Sequence, residues 1–471
     1  LCRMTPPRRL ACATARPRCW PRWGPKRVRR HGLFTALWFM AGAVLLSACE
    51  LPDWLGGREK PRLPGERISI LQLDKALEPD AAIADLEVRL PRPWRNPDWP
   101  HAAGFASHAM HHLEVGEDLR RAWKVDIGKG SGSETKLLSR PVVVGDRIVT
   151  MDAEAGVSAF RVADGGRLWR RELTPEDEDE GVIGGGVSID DGVVYAATGY
   201  GFVHALSLED GKEIWRRRVG APIRGAPTAI NGRVFVITYD NQLFALSSAD
   251  GTTLWNHSGI PEDAGLIGAP SAAVGGGLVV VPYSSGELFA LRLENGRAVW
   301  GDQLIRVRRL AALSSLSEIR GSPVIDRGMV LAISFSGRIA AIDLRSGRRL
   351  WDRDITGMET PWVAGDFIFL VTAQAEVICL SRRDGRIRWV AQLPRYEDAE
   401  EKADPIHWSG PVLASDRLVL VSSQGYAVAI SPYSGQMLGR IELPDGALIP
   451  PVVADGTIYV LSDNGNLIAL R

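Results

Sequence analysis

The chain has 471 residues, of which 45% are hydrophobic and 24% charged, with 56 basic and 56 acidic side chains. That length is ample for a sizeable core, and the scatter of Lys and Arg beyond the first 48 residues offers no basic stripe for nucleic acid. Five cysteines at 2, 12, 19, 49 and 379 exclude a disulfide-rich framework.

Residues 1–48 hold ten Lys or Arg and no acid, and end in an apolar run from Leu33 to Ala48. The run is shorter than the ~20 residues a bilayer-spanning helix needs. A basic flank, a short apolar core and small terminal residues are the pattern of a secretory signal. A start near Val28 gives a signal of ordinary length, so residues 1–27 are expected to lie upstream of the true start. Leu46-Ser47-Ala48-Cys49 matches the bacterial lipobox, in which the chain is cut before a cysteine whose sulfur is acylated. Cys49 is therefore the expected lipid anchor, and Glu50, where Asp would favour the inner membrane, points to the outer membrane and a periplasm-facing chain. Removing residues 1–48 leaves 46 basic against 56 acidic residues, a net charge of −10. Of the cysteines, only Cys379 then remains as a thiol, expected as a small buried filler.

Residues 49–80 are rich in Pro, Gly and charge and read as a flexible tether. Residues 81–121, with "LPRPWRNPDWPHAAGFASHAMHHL" at 90–113, are less tether-like and are expected to lie along the domain that follows. From about residue 122 to 471 one phrase recurs. "AFRVADGGRLW", "ALSLEDGKEIW", "ALSSADGTTLW", "ALRLENGRAVW", "AIDLRSGRRLW" and "CLSRRDGRIRW" each place a small residue, then Asp, Asn or Ser, then Gly, then Trp. The tryptophans are Trp169, Trp215, Trp255, Trp300, Trp351 and Trp389. A seventh copy, "AISPYSGQMLG", has Gly439 where Trp is expected, and an eighth, "GNLIALR", stops before its turn.

The copies are 38 to 51 residues apart, and each reads as β-branched runs separated by tight-turn signals. Eight such units describe an eight-bladed β-propeller. Each Trp is expected to fill the gap between neighbouring blades. The orphan strand "RRAWKVDIG", carrying Trp123, is expected to pair beside the C-terminal strands, completing blade 8 and removing two sheet edges.

Catalytic and metal-binding groups are not evident. His101, His108, His111 and His112 follow no standard ligand spacing. The acidic runs at 175–180 and 395–404 lack the alternation and the Gly of a calcium loop. No Gly-rich phosphate loop follows a strand, so neither a cofactor nor a metal is expected.

The repeats resemble the "A-x-D-x-x-T-G-x-x-x-W" docking motif of quinoprotein dehydrogenases, which makes a pyrroloquinoline-quinone enzyme the rival reading. Those enzymes carry adjacent cysteines beside the cofactor, and this chain has no such pair beyond its leader. Lipobox, eight repeats and closing strand together resemble the BamB lipoproteins of the outer-membrane β-barrel assembly machinery. That resemblance implies a non-enzymatic scaffold that binds the periplasmic POTRA domains of the central, BamA-like subunit. Unfolded outer-membrane proteins are a second candidate partner, and another envelope role for a propeller lipoprotein is the remaining alternative.

The family's contact loops map to 263–271 and 316–323. They offer Leu266, Ile267, Leu316, Glu318 and Arg320 as contact residues, with Arg306, Arg308 and Arg309 just before the second loop. Glu318 and Arg320 are expected to be exposed loop charges whose reversal leaves folding unchanged.

Overall fold

Each repeat folds into a four-stranded antiparallel meander whose first strand lines the axis and whose fourth meets solvent. The computed structural model describes residues 77–176, 183–223, 225–262, 268, 270–305 and 318–471. Blade 1 is built from Val142–Val144, Arg147–Met151, Gly156–Arg161 and Arg167–Glu172. Blades 2 to 7 repeat the pattern over 185–218, 228–258, 273–303, 324–353, 362–392 and 408–442. Blade 8 takes Val452–Ala454, Thr457–Leu461 and Asn466–Leu470 from the C-terminal end and Arg121–Asp126 from the N-terminal side. Trp123 pairs with Ala469 in that closing ladder. The architecture is the eight-bladed propeller that the repeats imply, closed by the orphan strand.

Second and third strands are buried nearly throughout, as in Gly156–Arg161, whereas fourth strands such as Glu213–Arg218 bury only their Trp. Blades stacked face to face cover both sides of a central strand, which explains its continuous apolar run in place of alternation. The small residue of each repeat faces the Trp across the ladder: Ala159 pairs with Trp169, Ala205 with Trp215 and Cys379 with Trp389. A larger side chain there would occupy the space of the indole. Cys379 is fully buried, and burial pushes its thiol pKa up.

The indole then reaches into the next blade. Trp169 Nε1 donates to Leu208 O at 3.0 Å, Trp215 to Ser248 O at 2.9 Å and Trp255 to Leu293 O at 3.2 Å. Trp300, Trp351 and Trp389 donate likewise to Leu344 O, Arg382 O and Pro432 O. Trp123 closes the circle on Val162 O of blade 1 at 3.0 Å. Each ring lies flat on the turn glycine of that next blade. On Gly251, at φ +69°, a methyl group would stand 2.6 Å from Trp215 Cε3. The interface from blade 7 to blade 8 has no such contact. The place beside Asn466–Leu470 is taken by Arg121–Asp126, so no third-to-fourth-strand turn exists in blade 8 for an indole to cover. Gly439 stands where that indole would be rooted.

The segment ahead of the closing strand circles the axis. Asn96 bonds through Nδ2 to Val453 O of blade 8 at 2.7 Å, and Trp99 exchanges both backbone bonds with Val143 of blade 1. Pro100 O accepts from Ile189 N of blade 2, and His101 Nε2 lies 2.8 Å from Ala229 O of blade 3. Ala106 O accepts from Val274 N of blade 4 and Ser107 O from Ile325 N of blade 5. His111 O accepts from Trp362 Nε1 of blade 6, and Leu113 N donates to Leu413 O of blade 7. In seven blades the residue engaged is the penultimate one of the innermost strand.

Candidate functional site

The meander makes the two ends of the ring chemically different. One end carries the first-to-second and third-to-fourth strand turns, and the other carries the second-to-third turns and the connections between blades. The circling segment lies on the first end, since it bonds to Gly145, Ser415, Asp416 and Asp455 in first-to-second turns. The described parts of the inter-blade connections singled out in the sequence, Gly268, Pro270, Ser271 and residues 318–323, lie on the other.

The two connections meet there. The residue two places before each innermost strand is Ala226, Ser271, Ser322 and Thr360 in blades 3 to 6, and these link neighbour to neighbour. Ser271 Oγ donates to Ala226 O at 2.9 Å, Ser271 N to Ser322 Oγ at 3.1 Å, and Ser322 N to Thr360 Oγ1 at 3.1 Å. Gly268 of the first connection lies beside the Arg320 guanidinium of the second. Arg320 also donates to Met358 Sδ at 3.6 Å, which joins the connection ahead of blade 6. A hydroxyl recurring beside Pro in "GAPS", "GSP" and "ETP" was the sequence signal for this chain of bonds.

Toward the axis stands an ion pair that the sequence did not suggest. Arg140, two places before the innermost strand of blade 1, lies 3.5 Å from the Glu359 carboxylate and donates to Ala102 O of the circling segment. Burial lowers the Arg140 pKa and raises that of Glu359. Each is partly held in its charged form by the other, while Arg320 favours the Glu359 carboxylate and opposes Arg140. The two pair residues come from repeats more than 200 positions apart, so no local spacing could mark them.

Of the residues named from the sequence, Cys49, Leu266, Ile267, Arg306, Arg308, Arg309 and Leu316 lie outside the described residues. Arg320 is half-buried and Glu318 is only 4% exposed. The expectation that Glu318 is an exposed loop charge is therefore corrected. Its backbone carbonyl accepts from Phe335 N at 2.9 Å and the neighbouring Ile319 is fully buried, so this end of the connection is tucked under blade 5. A lysine there would place a cation at a position closed to solvent.

Three of the four clustered histidines act as links to backbone. His108 Nδ1 lies 2.7 Å from Pro323 O and therefore carries the proton, leaving Nε2 a buried acceptor without a partner among the described residues. His112 Nδ1 likewise donates to Pro91 O while Nε2 accepts from Asp416 N. Burial lowers the His101 and His108 pKa values, His108 to about 3, with His101 and Arg140 adding to the shift. Among the described residues no three His, Cys, Asp or Glu side chains gather as metal ligands.

The family model described as outer membrane protein assembly factor BamB matches residues 153–391. The chain belongs to the BamB family. The BamB of Yersinia pestis is 26% identical over 357 residues, covering 74% of this chain and 88% of that protein. The crystal structure of BamB from Moraxella catarrhalis superposes with a TM-score of 0.64 at 19% identity, over 75% of this chain and 99% of the other. The quinohemoprotein alcohol dehydrogenase of Comamonas testosteroni reaches a TM-score of 0.62 at 13% identity, over 80% and 81% of the two chains. That likeness is one of fold.

Proposed function

We propose that this protein is a non-catalytic lipoprotein scaffold of the outer-membrane β-barrel assembly machinery. In this reading the acylated Cys49 holds it to the outer membrane, facing the periplasm. The connections of the middle blades bind the POTRA domains of the BamA-like central subunit and so aid insertion of outer-membrane proteins. The observation that carries the reading is the BamB family match, which spans both connections invoked. The bonds Ser271–Ser322 and Ser322–Thr360 support it further, because they hold adjacent connections together on the end of the ring opposite the first-to-second turns.

Burial of Glu318 moves the test to other positions. Hot spots are few and sensitive to charge introduced into apolar anchors. Leu266→Asp with Ile267→Asp should weaken capture of the POTRA-bearing subunit from detergent-solubilised membranes at least tenfold, or about 1.4 kcal/mol. Arg308→Glu with Arg309→Glu is the parallel variant on the second connection. Undiminished capture by both, with unchanged circular dichroism, removes these connections from the interface.

A further inference from the structure

We infer that the axial end of the ring is a peptide-binding site whose ligand is the protein's own residues 94–115, and that this ligand clasps the one blade interface lacking a tryptophan. The site repeats with the blades. The penultimate residue of the innermost strand presents a carbonyl or an N–H in blades 1, 2, 3, 4, 5, 7 and 8, and the segment meets every one of them in ring order. It does so along a path broken by tight turns at His101–Gly104 and Phe105–His108, with Asn96, Trp99, His101, Ala106, His108, Met110 and Leu113 buried. A peptide that satisfies strand groups with its backbone and seats side chains in pockets is a familiar mode of recognition. Here ring and ligand belong to one chain.

The ends of the segment identify what it fastens. It begins on blade 8, where Asn96 O accepts from Asp455 N and Arg95 pairs with Asp455 at 2.6 Å. It ends on blade 7, where Val115 bonds through both backbone groups to Ser415 Oγ and Arg417 donates to the carbonyls of Gly116 and Glu117. Between these ends Trp94 N donates to His112 O and Glu114 N to Trp94 O, so the loop is tied to itself. The tie therefore joins the two blades flanking the 7–8 interface, where Gly439 replaces the indole that fastens every other pair. Apolar side chains of blades 7 and 8 pack in one cluster there, and the segment adds the hydrogen bonds that tie the two blades together at the axial end.

The test uses the full chain with a specific protease site inserted between the exposed residues Glu117 and Asp118, leaving the closing strand Arg121–Asp126 in the ring. After cleavage the released piece should co-elute with the ring on size exclusion. Stripping it with mild urea should speed backbone hydrogen exchange throughout blades 7 and 8 at least tenfold, with blades 2 to 4 little changed apart from Ile189 N and Val274 N, whose acceptors leave with the piece. Adding a synthetic peptide of residues 94–115 in excess should restore the protection. Asn96→Ala with His112→Ala in the uncleaved chain gives a second route to the same local loosening. A piece that separates at once without altering exchange in blades 7 and 8, or a loosening spread evenly over all blades, overturns the clasp. Failure of the free peptide to protect the stripped ring overturns the binding site.

Discussion

Replacing Trp215 and Gly251, singly and together, tests whether the indole of one blade and the turn of the next act as a unit. Trp215 is 9% exposed, donates to Ser248 O, meets Tyr195 in a tilted ring contact at 5.9 Å and covers Gly251. Trp215→Ala deletes that burial and leaves the Ser248 carbonyl only its longer bond from the Tyr195 hydroxyl at 3.4 Å, for a loss of about 3–5 kcal/mol. Gly251→Ala imposes two separate costs. The left-handed backbone at φ +69° disfavours any side chain by about 1–2 kcal/mol. The added methyl must also displace an indole atom only 2.6 Å away. Gly192, at φ +74° with nothing within 4 Å of a would-be Cβ, isolates the first cost. Gly192→Ala should therefore lose about 1–2 kcal/mol and Gly251→Ala clearly more. With Trp215 already replaced, Gly251→Ala should fall to the cost of Gly192→Ala, a coupling of about 1–3 kcal/mol. Urea unfolding followed by tryptophan fluorescence and circular dichroism measures all four variants. Strict additivity of the two substitutions would refute the contact.

The same reasoning predicts that Gly439→Trp gives no stabilisation in urea unfolding, because blade 8 offers no turn for the ring to cover; a gain of 2 kcal/mol or more would contradict it. His108 binds its proton only near pH 3 in the folded chain, against an ordinary value of 6.5, so the unfolded chain takes up more protons between those limits. Stability is thus full above pH 6.5 and falls as pH drops, by about 2 kcal/mol at pH 5 from His108. His101 acts in the same direction, and a flat urea midpoint from pH 7 to 5 would contradict both. Cys49→Ala should abolish incorporation of labelled fatty acid while the propeller's circular dichroism is retained; labelling of the variant would remove the anchor assignment. Glu318→Lys should lower the melting temperature by several degrees, since it inverts a buried charge, and an unchanged melting curve would show that side chain to be solvated.

Much of the architecture was legible because the repeat is local. Three β-runs and a turn inside 38 to 51 residues, written eight times, leave a ring as the arrangement that buries every blade face. The orphan Trp123 strand and the truncated last copy announced how the ring closes. What the sequence could not say concerns pairs of residues from different copies. Gly and Trp stand four apart in "DGKEIW", yet they do not meet: Trp215 rests on Gly251, while Gly211 carries Trp169. The missing indole at Gly439 made sense only once blade 8 was seen to draw its outer strand from residues 121–126. Glu318 read as a loop charge because it lies in a connection between repeats, and only the packing of blade 5 buries it. The circling of residues 94–115 has no repeat and no period to betray it. Its course is dictated by eight strand positions hundreds of residues apart in sequence, which only the closed ring brings onto one circle.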